Sequence, residues 1–179
     1  MHITKNILVQ VEHYHFLLHY RCAINLLIDL IQNHSSQPSV DKLEFIKIII
    51  FNYLIGNADA HGKNFSFLYF DGKPCLAPAY DLLSTAVYPQ LSKKMAMRIG
   101  RKDDPSRVFL HQWQTLVENT ASARKVLENS LQYFANKLPD LADSLQNNLE
   151  RQGITSPIFE QIKTLIQKRA KHINLYFPQ

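Results

Sequence analysis

Within eight residues, directly after the apolar run Phe45–Ile55 ends at Gly56, the chain presents Asn57, Asp59, His61, Lys63 and Asn64. A carboxylate, an imidazole, an ammonium and two carboxamides on so short a stretch, held by a segment able to bury itself, make a polar loop of the kind that carries function. Two chemistries compete for it. A phosphate-cradling P-loop needs four residues between its glycines and Ser or Thr after the lysine. Here five residues separate Gly56 from Gly62-Lys63, Asn64 follows, and Asp59 would repel anionic phosphates, so this motif is rejected. A phosphoryl-transfer loop of the protein-kinase type uses an Asp to orient the attacking hydroxyl and an Asn five residues on to hold a metal ion. Asp59 and Asn64 have that spacing. The same chemistry calls for a second carboxylate on Mg²⁺, and Asp81 in Leu76-Ala77-Pro78-Ala79-Tyr80-Asp81-Leu82 is the candidate.

These residues need elements that bring them together. The preceding segment reads as a helix over Lys42–Ile55, opened by Asp41 with Glu44 in a capping-box-like arrangement and apolar nearly all round, which predicts a buried helix. After the loop, Phe65–Phe70 and Pro74–Ala77 flank Asp71-Gly72-Lys73, a strong hairpin signal. Such a hairpin carries the chain away from Asn64 and returns it to Asp81, so that one metal ion can be shared. Taken singly, Asp81 reads as a helix cap before Leu82-Leu83 and Asn64 as a turn residue; with Asp59 and the hairpin they read as a site.

The combination Ile55-Gly56-Asn57-Ala58-Asp59-Ala60-His61-Gly62-Lys63-Asn64, followed by Pro78-Ala79-Tyr80-Asp81-Leu82, resembles the HipA-type toxin kinase family. Met95–Gly100 and the stretch around Trp113 extend the likeness, which runs from about Asp41 to Leu138. The family consists of bacterial Ser/Thr protein kinases, commonly the toxins of toxin–antitoxin pairs. The resemblance implies that Asp59 is the catalytic aspartate, that Asn64 and Asp81 bind Mg²⁺ and through it ATP, and that His61 and Lys63 accompany them, Lys63 on the nucleotide side. It also implies an antitoxin partner and a protein substrate, such as an aminoacyl-tRNA synthetase of the translation machinery. A complete member carries an N-terminal lobe of strands with a nucleotide-covering loop and a phosphate-pairing lysine. The forty or so residues before the matched region read as helix, and none of the five glycines stands in a G-x-G pair, so that lobe is expected from a separate chain.

The remainder reads as support. A chain of 179 residues, 46% hydrophobic and 20% charged, suits one domain over 1–179 with a core of its own. The fold class expected is mainly α (α+β): a helical, protein-kinase C-lobe-like domain with a small β-hairpin beside the catalytic loop. An amphipathic helix is expected from about Val9 to Asn33, with Val11, His15, Leu18, Cys22, Leu26 and Leu30 on one face. His15 and His19 have zinc spacing, but no third ligand supports them. Further helices are expected over Pro105–Asn119, Ala121–Lys137, Pro139–Gln152 and from Ser156-Pro157 to about Tyr176, with Trp113 a core anchor and His111 a surface residue. Cys22 and Cys75 read as small buried hydrophobes in a reduced cytoplasm.

The net charge of +5 invites a nucleic-acid reading. Basic residues do cluster between Lys93 and Arg107 and between Lys163 and Lys171, but Asp103 and Asp104 interrupt the first group and no aromatic residue interleaves it. Solvated basic surface is therefore expected, without direct nucleic-acid binding. No apolar run reaches the length of a membrane span, and no signal segment opens the chain, so a cytoplasmic protein is expected. Three functions remain open: an active kinase completed by a separate lobe, a catalytically inactive module that binds an antitoxin or another protein, and a remnant without a ligand.

Overall fold

In the computed structural model, residues 8–9 and 24–178 are described. In chain order the elements are β1 (Leu8–Val9), α1 (Ile24–His34), α2 (Pro38–Ile55), β2 (Phe67–Phe70), β3 (Lys73–Leu76), α3 (Leu110–Gln114), α4 (Ala121–Arg151) and α5 (Pro157–Asn174). This is a helical, kinase C-lobe-like fold with a small antiparallel sheet. No helix among the described residues is long and apolar enough to cross a membrane.

Each helix buries the face its sequence marks. In α1 the buried residues are Ile24, Leu27, Leu30 and Ile31, the three- and four-residue spacing of one helical stripe. The helix expected from Val9 is corrected at its start, because Val9 pairs with Phe67 in the sheet. The rest of that expectation, with His13, His15, His19 and Cys22, lies outside the described residues until Ile24. Around α2 the core closes on nearly every side, and Phe45, Ile50 and Leu54 are fully buried. Trp113 is buried against Tyr53, their rings edge-on at 5.2 Å. Leu127 and Leu131 of α4 and Ile173 of α5 complete this core.

The start of α2 differs from the sequence expectation. The helix begins at Pro38, whose fixed φ and missing N–H suit the first helical position, and not at Lys42. Asp41 therefore lies inside the first turn and caps nothing. Its carboxylate is 3% exposed and receives Ser35 Oγ at 2.6 Å, Gln37 Nε2 at 3.0 Å and the Leu76 N–H at 2.7 Å. A buried carboxylate is tolerable when donors surround it. Here those donors tie α2 to β3.

The hairpin forms as expected. Phe67 pairs with Leu76 and Phe70 with Lys73, leaving Asp71 and Gly72 as a two-residue turn with φ of 49° and 75°. β1 adds to the other side of β2, giving the order β1-β2-β3. Cys75, on β3, is half-buried and not fully buried as expected.

Two helical expectations are corrected further on. In place of one helix over Pro105–Asn119 there is a single 3₁₀ turn, Pro105–Arg107, and then the short α3. Asp104 Oδ1 takes the Ser106 N–H at 2.9 Å and the Ser106 Oγ at 2.7 Å, a local bond that competes with helix continuation. Gln112 Oε1 accepts the Phe109 N–H at 2.9 Å and so sets a new start. Conversely, α4 runs unbroken through Pro139. The proline removes one N–H, and the bonds on either side carry the helix past it. Thr120 caps α4 through the Ala123 N–H, and Ser156 caps α5 through the Ile158 N–H, with Pro157 at the first helical position.

Candidate active site

The loop is launched by the end of α2. Gly56 adopts φ 81°, its N–H returns to the Tyr53 carbonyl at 3.3 Å, and the Asn57 N–H returns to the Asn52 carbonyl at 2.9 Å. This double return is a Schellman motif, and its left-handed residue favours glycine. A Cβ at Gly56 would come within 2.3 Å of Leu165 Cδ2 and 3.3 Å of Ala86 Cβ, so close packing adds to the conformational demand. Where such a motif commonly makes an apolar contact across the turn, this chain makes a polar one: Asn57 Nδ2 donates to Asn52 Oδ1 at 2.9 Å, with both residues buried.

Asn57 organises the rest of the loop. Its Nδ2 also donates to the Asp81 carbonyl at 2.9 Å, and its Oδ1 accepts the Asp59 N–H at 3.2 Å. Thr85 Oγ1 accepts the Ala58 N–H at 2.8 Å, and the Ala96 N–H donates to the Ala58 carbonyl at 2.8 Å. The loop is thus held from three directions: by α2, by the 3₁₀ turn Thr85–Val87, and by the segment Met95–Ile99. In that segment the alternating Met95, Met97 and Ile99 are buried. Sequence reasoning assigns no role to Asn57 or Thr85. The available signal is a polar residue directly after a helix-ending glycine.

The structure places each of the expected site residues. Asp59 is exposed at the tip of the loop, and its carboxylate makes no hydrogen bond to any described residue. His61 is half-buried; its N–H donates to Asn64 Oδ1 at 2.9 Å, and its buried Nδ1 has no partner among the described residues. Residues Gly62–Asn64 form a 3₁₀ turn. Lys63 is exposed, and its carbonyl accepts the Tyr80 hydroxyl at 3.0 Å. Asn64 Nδ2 donates to Asp81 Oδ2 across the hairpin. Asp81 itself has φ 57°, a left-handed conformation that Asp tolerates better than most residues.

The Asn64 carboxamide and Asp81 carboxylate therefore meet, and Asp59 lies on the same loop. Asn64 turns its amide nitrogen to Asp81 and its Oδ1 to the His61 N–H. The Asp81 carboxylate and the second lone pair of Asn64 Oδ1 are hard oxygen donors of the kind Mg²⁺ takes, usually one or two from protein with phosphate and water completing the shell. Among the described residues no group of three or more His, Cys, Asp or Glu is placed to hold a metal without such help. The donor set fits an ion shared with a phosphate ligand, and does not fit an all-protein cage.

The fold and this arrangement define a kinase C-lobe-like domain. The sequence profile of the HipA-like C-terminal domain matches residues 7–142, a wider span than the motifs alone mark out, and the chain belongs to that family. It is 50% identical over 90 residues to a Sinorhizobium fredii protein named Putative kinase Y4mE, an alignment covering 50% of this chain and 21% of that one. With the serine/threonine-protein kinase toxin HipA of Shewanella oneidensis it shares 32% identity over 102 residues, covering 57% of this chain and 24% of the toxin. The solved complex of Shewanella oneidensis HipA with HipB and operator DNA contains a chain that superposes with a TM-score of 0.70 at 25% identity. That match covers 86% of this chain and 37% of the other. The chain thus spans well under half the length of the relatives it matches.

Proposed function

We propose that this chain carries the catalytic loop and metal-binding residues of a HipA-type Ser/Thr protein kinase, which transfers the γ-phosphoryl group of ATP to a hydroxyl of a protein substrate. The observation that carries this reading is the meeting of Asn64 with Asp81, residues 17 apart in sequence, with an exposed Asp59 on the same loop as Asn64.

Asn64 and Asp81 would hold Mg²⁺, which supplies neutralisation of the charge on the β- and γ-phosphates. Asp59, with no competing partner among the described residues, accepts a hydrogen bond from the substrate hydroxyl and aims its oxygen at the γ-phosphorus. As the new O–P bond forms, the bond from the γ-phosphorus to the β,γ-bridging oxygen breaks, ADP leaves, and the hydroxyl proton passes to the Asp59 carboxylate and on to solvent. His61 positions Asn64 through its N–H, and Lys63 adds positive charge on the exposed side, where the nucleotide phosphates enter. Nucleotide cover comes from residues outside these 179, on the same or a separate polypeptide. By likeness to the complex of HipA with HipB, an antitoxin of the HipB kind is the expected partner. The cytoplasm is the expected compartment.

The test is phosphoryl transfer from labelled ATP by the chain joined or mixed with a nucleotide-covering lobe of a relative, compared with its Asp59→Asn variant. The substitution keeps size and removes the charge that orients the hydroxyl, so transfer should fall by about two orders of magnitude or more while nucleotide binding persists. Equal transfer by the variant would remove Asp59 from the mechanism. No transfer by either would favour the antitoxin-binding module.

A further inference from the structure

A second concave feature shares no lining residue with the Asn57–Asn64 loop. Between α5 and the segment Lys93–Ser106 lies a cleft of about 570 Å³, lined by Lys93 and Lys94 on one wall and by Lys168, Arg169 and Lys171 on the other. Clefts of roughly 300–1,000 Å³ are the size of small-molecule sites. The one carboxylate in the lining, Asp104, is occupied at Oδ1 by the Ser106 N–H and Oγ. Just outside it, Asp103 lies 3.7 Å from Lys94 Nζ. Five cations thus line the cavity against two carboxylates, Asp104 in its wall and Asp103 at Lys94, leaving an excess of positive charge.

Arg169 is the telling member. It is 7% exposed, Nη1 donates to the Tyr53 carbonyl, and the guanidinium carbon stands 5.1 Å from the centre of the Tyr53 ring. No described carboxylate lies within ion-pairing distance of it. A buried charge is expected to be paired, and a guanidinium has five donors in a planar fork that matches the oxygens of a phosphate. Burial also pushes this guanidinium below its ordinary pKa, and binding of an anion acts in the opposite direction. Leu165, Leu175, Ala86 and Pro105 supply apolar wall beside the charges.

We propose that this cleft is a binding site for a small phosphate ester bearing two or more negative charges, of the nucleoside polyphosphate class, separate from the Asp59–Asn64–Asp81 site. The concavity favours a small ligand over a nucleic-acid duplex: the phosphates of a rod-like helix follow the outside of a protein, whereas Arg169 lies at the buried side of the cleft. The apolar wall offers a place for a base or a sugar. The site also adjoins the launch of the catalytic loop, because Arg169 holds the Tyr53 carbonyl and the Ala86 N–H donates to the Gly56 carbonyl at 2.9 Å.

The probe is sodium tripolyphosphate titrated calorimetrically into the 179-residue chain carrying Asp81→Ala, with EDTA present, so that metal-dependent binding at the loop is silent. One saturable site per chain is expected. Lys168→Gln combined with Lys171→Gln, both at exposed positions where folding is unaffected, should weaken binding by about tenfold or more. Arg169→Gln should weaken it further if that variant keeps a cooperative melt, but the lysine pair decides the matter. An absence of saturable binding up to about 5 mM, weaker than any useful affinity, would overturn the proposal. So would an affinity indifferent to the lysine pair. A single-stranded oligonucleotide that binds more tightly than tripolyphosphate and loses affinity with the same pair would overturn it in favour of a nucleic-acid surface.

Discussion

The side-chain amide of Asn57 donates to the main-chain carbonyl of Asp81 at 2.9 Å, and so fixes a residue beyond the hairpin to the last turn of α2. The two halves of the site are joined through this buried carboxamide before any ligand arrives. Asn57→Leu would strand Asn52 Oδ1, the Asp81 carbonyl and the Asp59 N–H, and should cost about 2–3 kcal/mol in urea unfolding. Asn57→Asp, which replaces two donors by an acceptor facing two oxygens, should cost at least as much. A loss below about 0.5 kcal/mol for both would mean that the loop holds Asp81 without Asn57.

Magnesium and nucleotide should act through Asp81. At Mg·ATP about tenfold above its dissociation constant, native-state binding should add about 1.4 kcal/mol, raising the melting temperature by about 3–6 °C in a chain of this size. With the cleft silenced by Lys168→Gln and Lys171→Gln, Asp81→Ala should abolish the magnesium-dependent part of the rise. A magnesium-dependent rise that survives in that background would remove Asp81 from metal binding.

Gly56 should resist replacement for two separable reasons. Gly56→Ala forces a Cβ into a left-handed conformation, at about 1–2 kcal/mol, and pushes against Leu165. The second effect is relieved by Leu165→Ala, because the contact is with the far end of that side chain. The double variant should therefore be less destabilised than the sum of the single ones, as measured by a double-mutant cycle. Strict additivity would show that only the backbone matters.

Tyr53 should make stability fall in alkali. Its phenol is pushed up to about 12, chiefly by burial and also by Asp104, against the opposing pull of the Arg169 charge. In the unfolded chain the phenol ionises near 10. Because the folded value is the higher one, the stabilisation is fully present below about pH 10 and is lost as pH rises from there towards about 12, on the order of 2–3 kcal/mol in all. Tyr53→Phe removes the titration along with the 3.0 Å bond to the Pro105 carbonyl. The stability gap between parent and variant should narrow or reverse between pH 9 and 11, and a constant gap would contradict the shift.

The strongest local signals are legible in the sequence because their physics is local. Asp71-Gly72 specifies a turn whose residues need positive φ, Ser156-Pro157 specifies a helix start, and an apolar run specifies burial of α2. The Asp59, Asn64 and Asp81 set is legible as spacing plus a hairpin, and the hairpin does bring Asn64 to Asp81. The features that spacing does not reveal depend on partners distant in sequence. Asp41 reads as a cap because its 2.7 Å contact with Leu76 lies on another element. The end of the helical pattern near Val108 is set by which side chain captures which N–H, and the passage of α4 through Pro139 by tertiary support for the helix on either side. Asn57 is visible only as one more polar residue in a polar loop.

The two strands of the hairpin leave from and return to a fixed pair of points, while its tip at Asp71 and Gly72 is exposed, with nothing within 4 Å of where a Gly72 side chain would begin. Distance along the chain and distance in space are thereby uncoupled between Asn64 and Asp81. Residues can be added at the tip at the slowly growing cost of a longer surface loop, while the meeting point stays where β2 and β3 set it. The tip is thus the place on this chain where a reporter or a recognition peptide can be inserted within the very stretch that joins the two halves of the site.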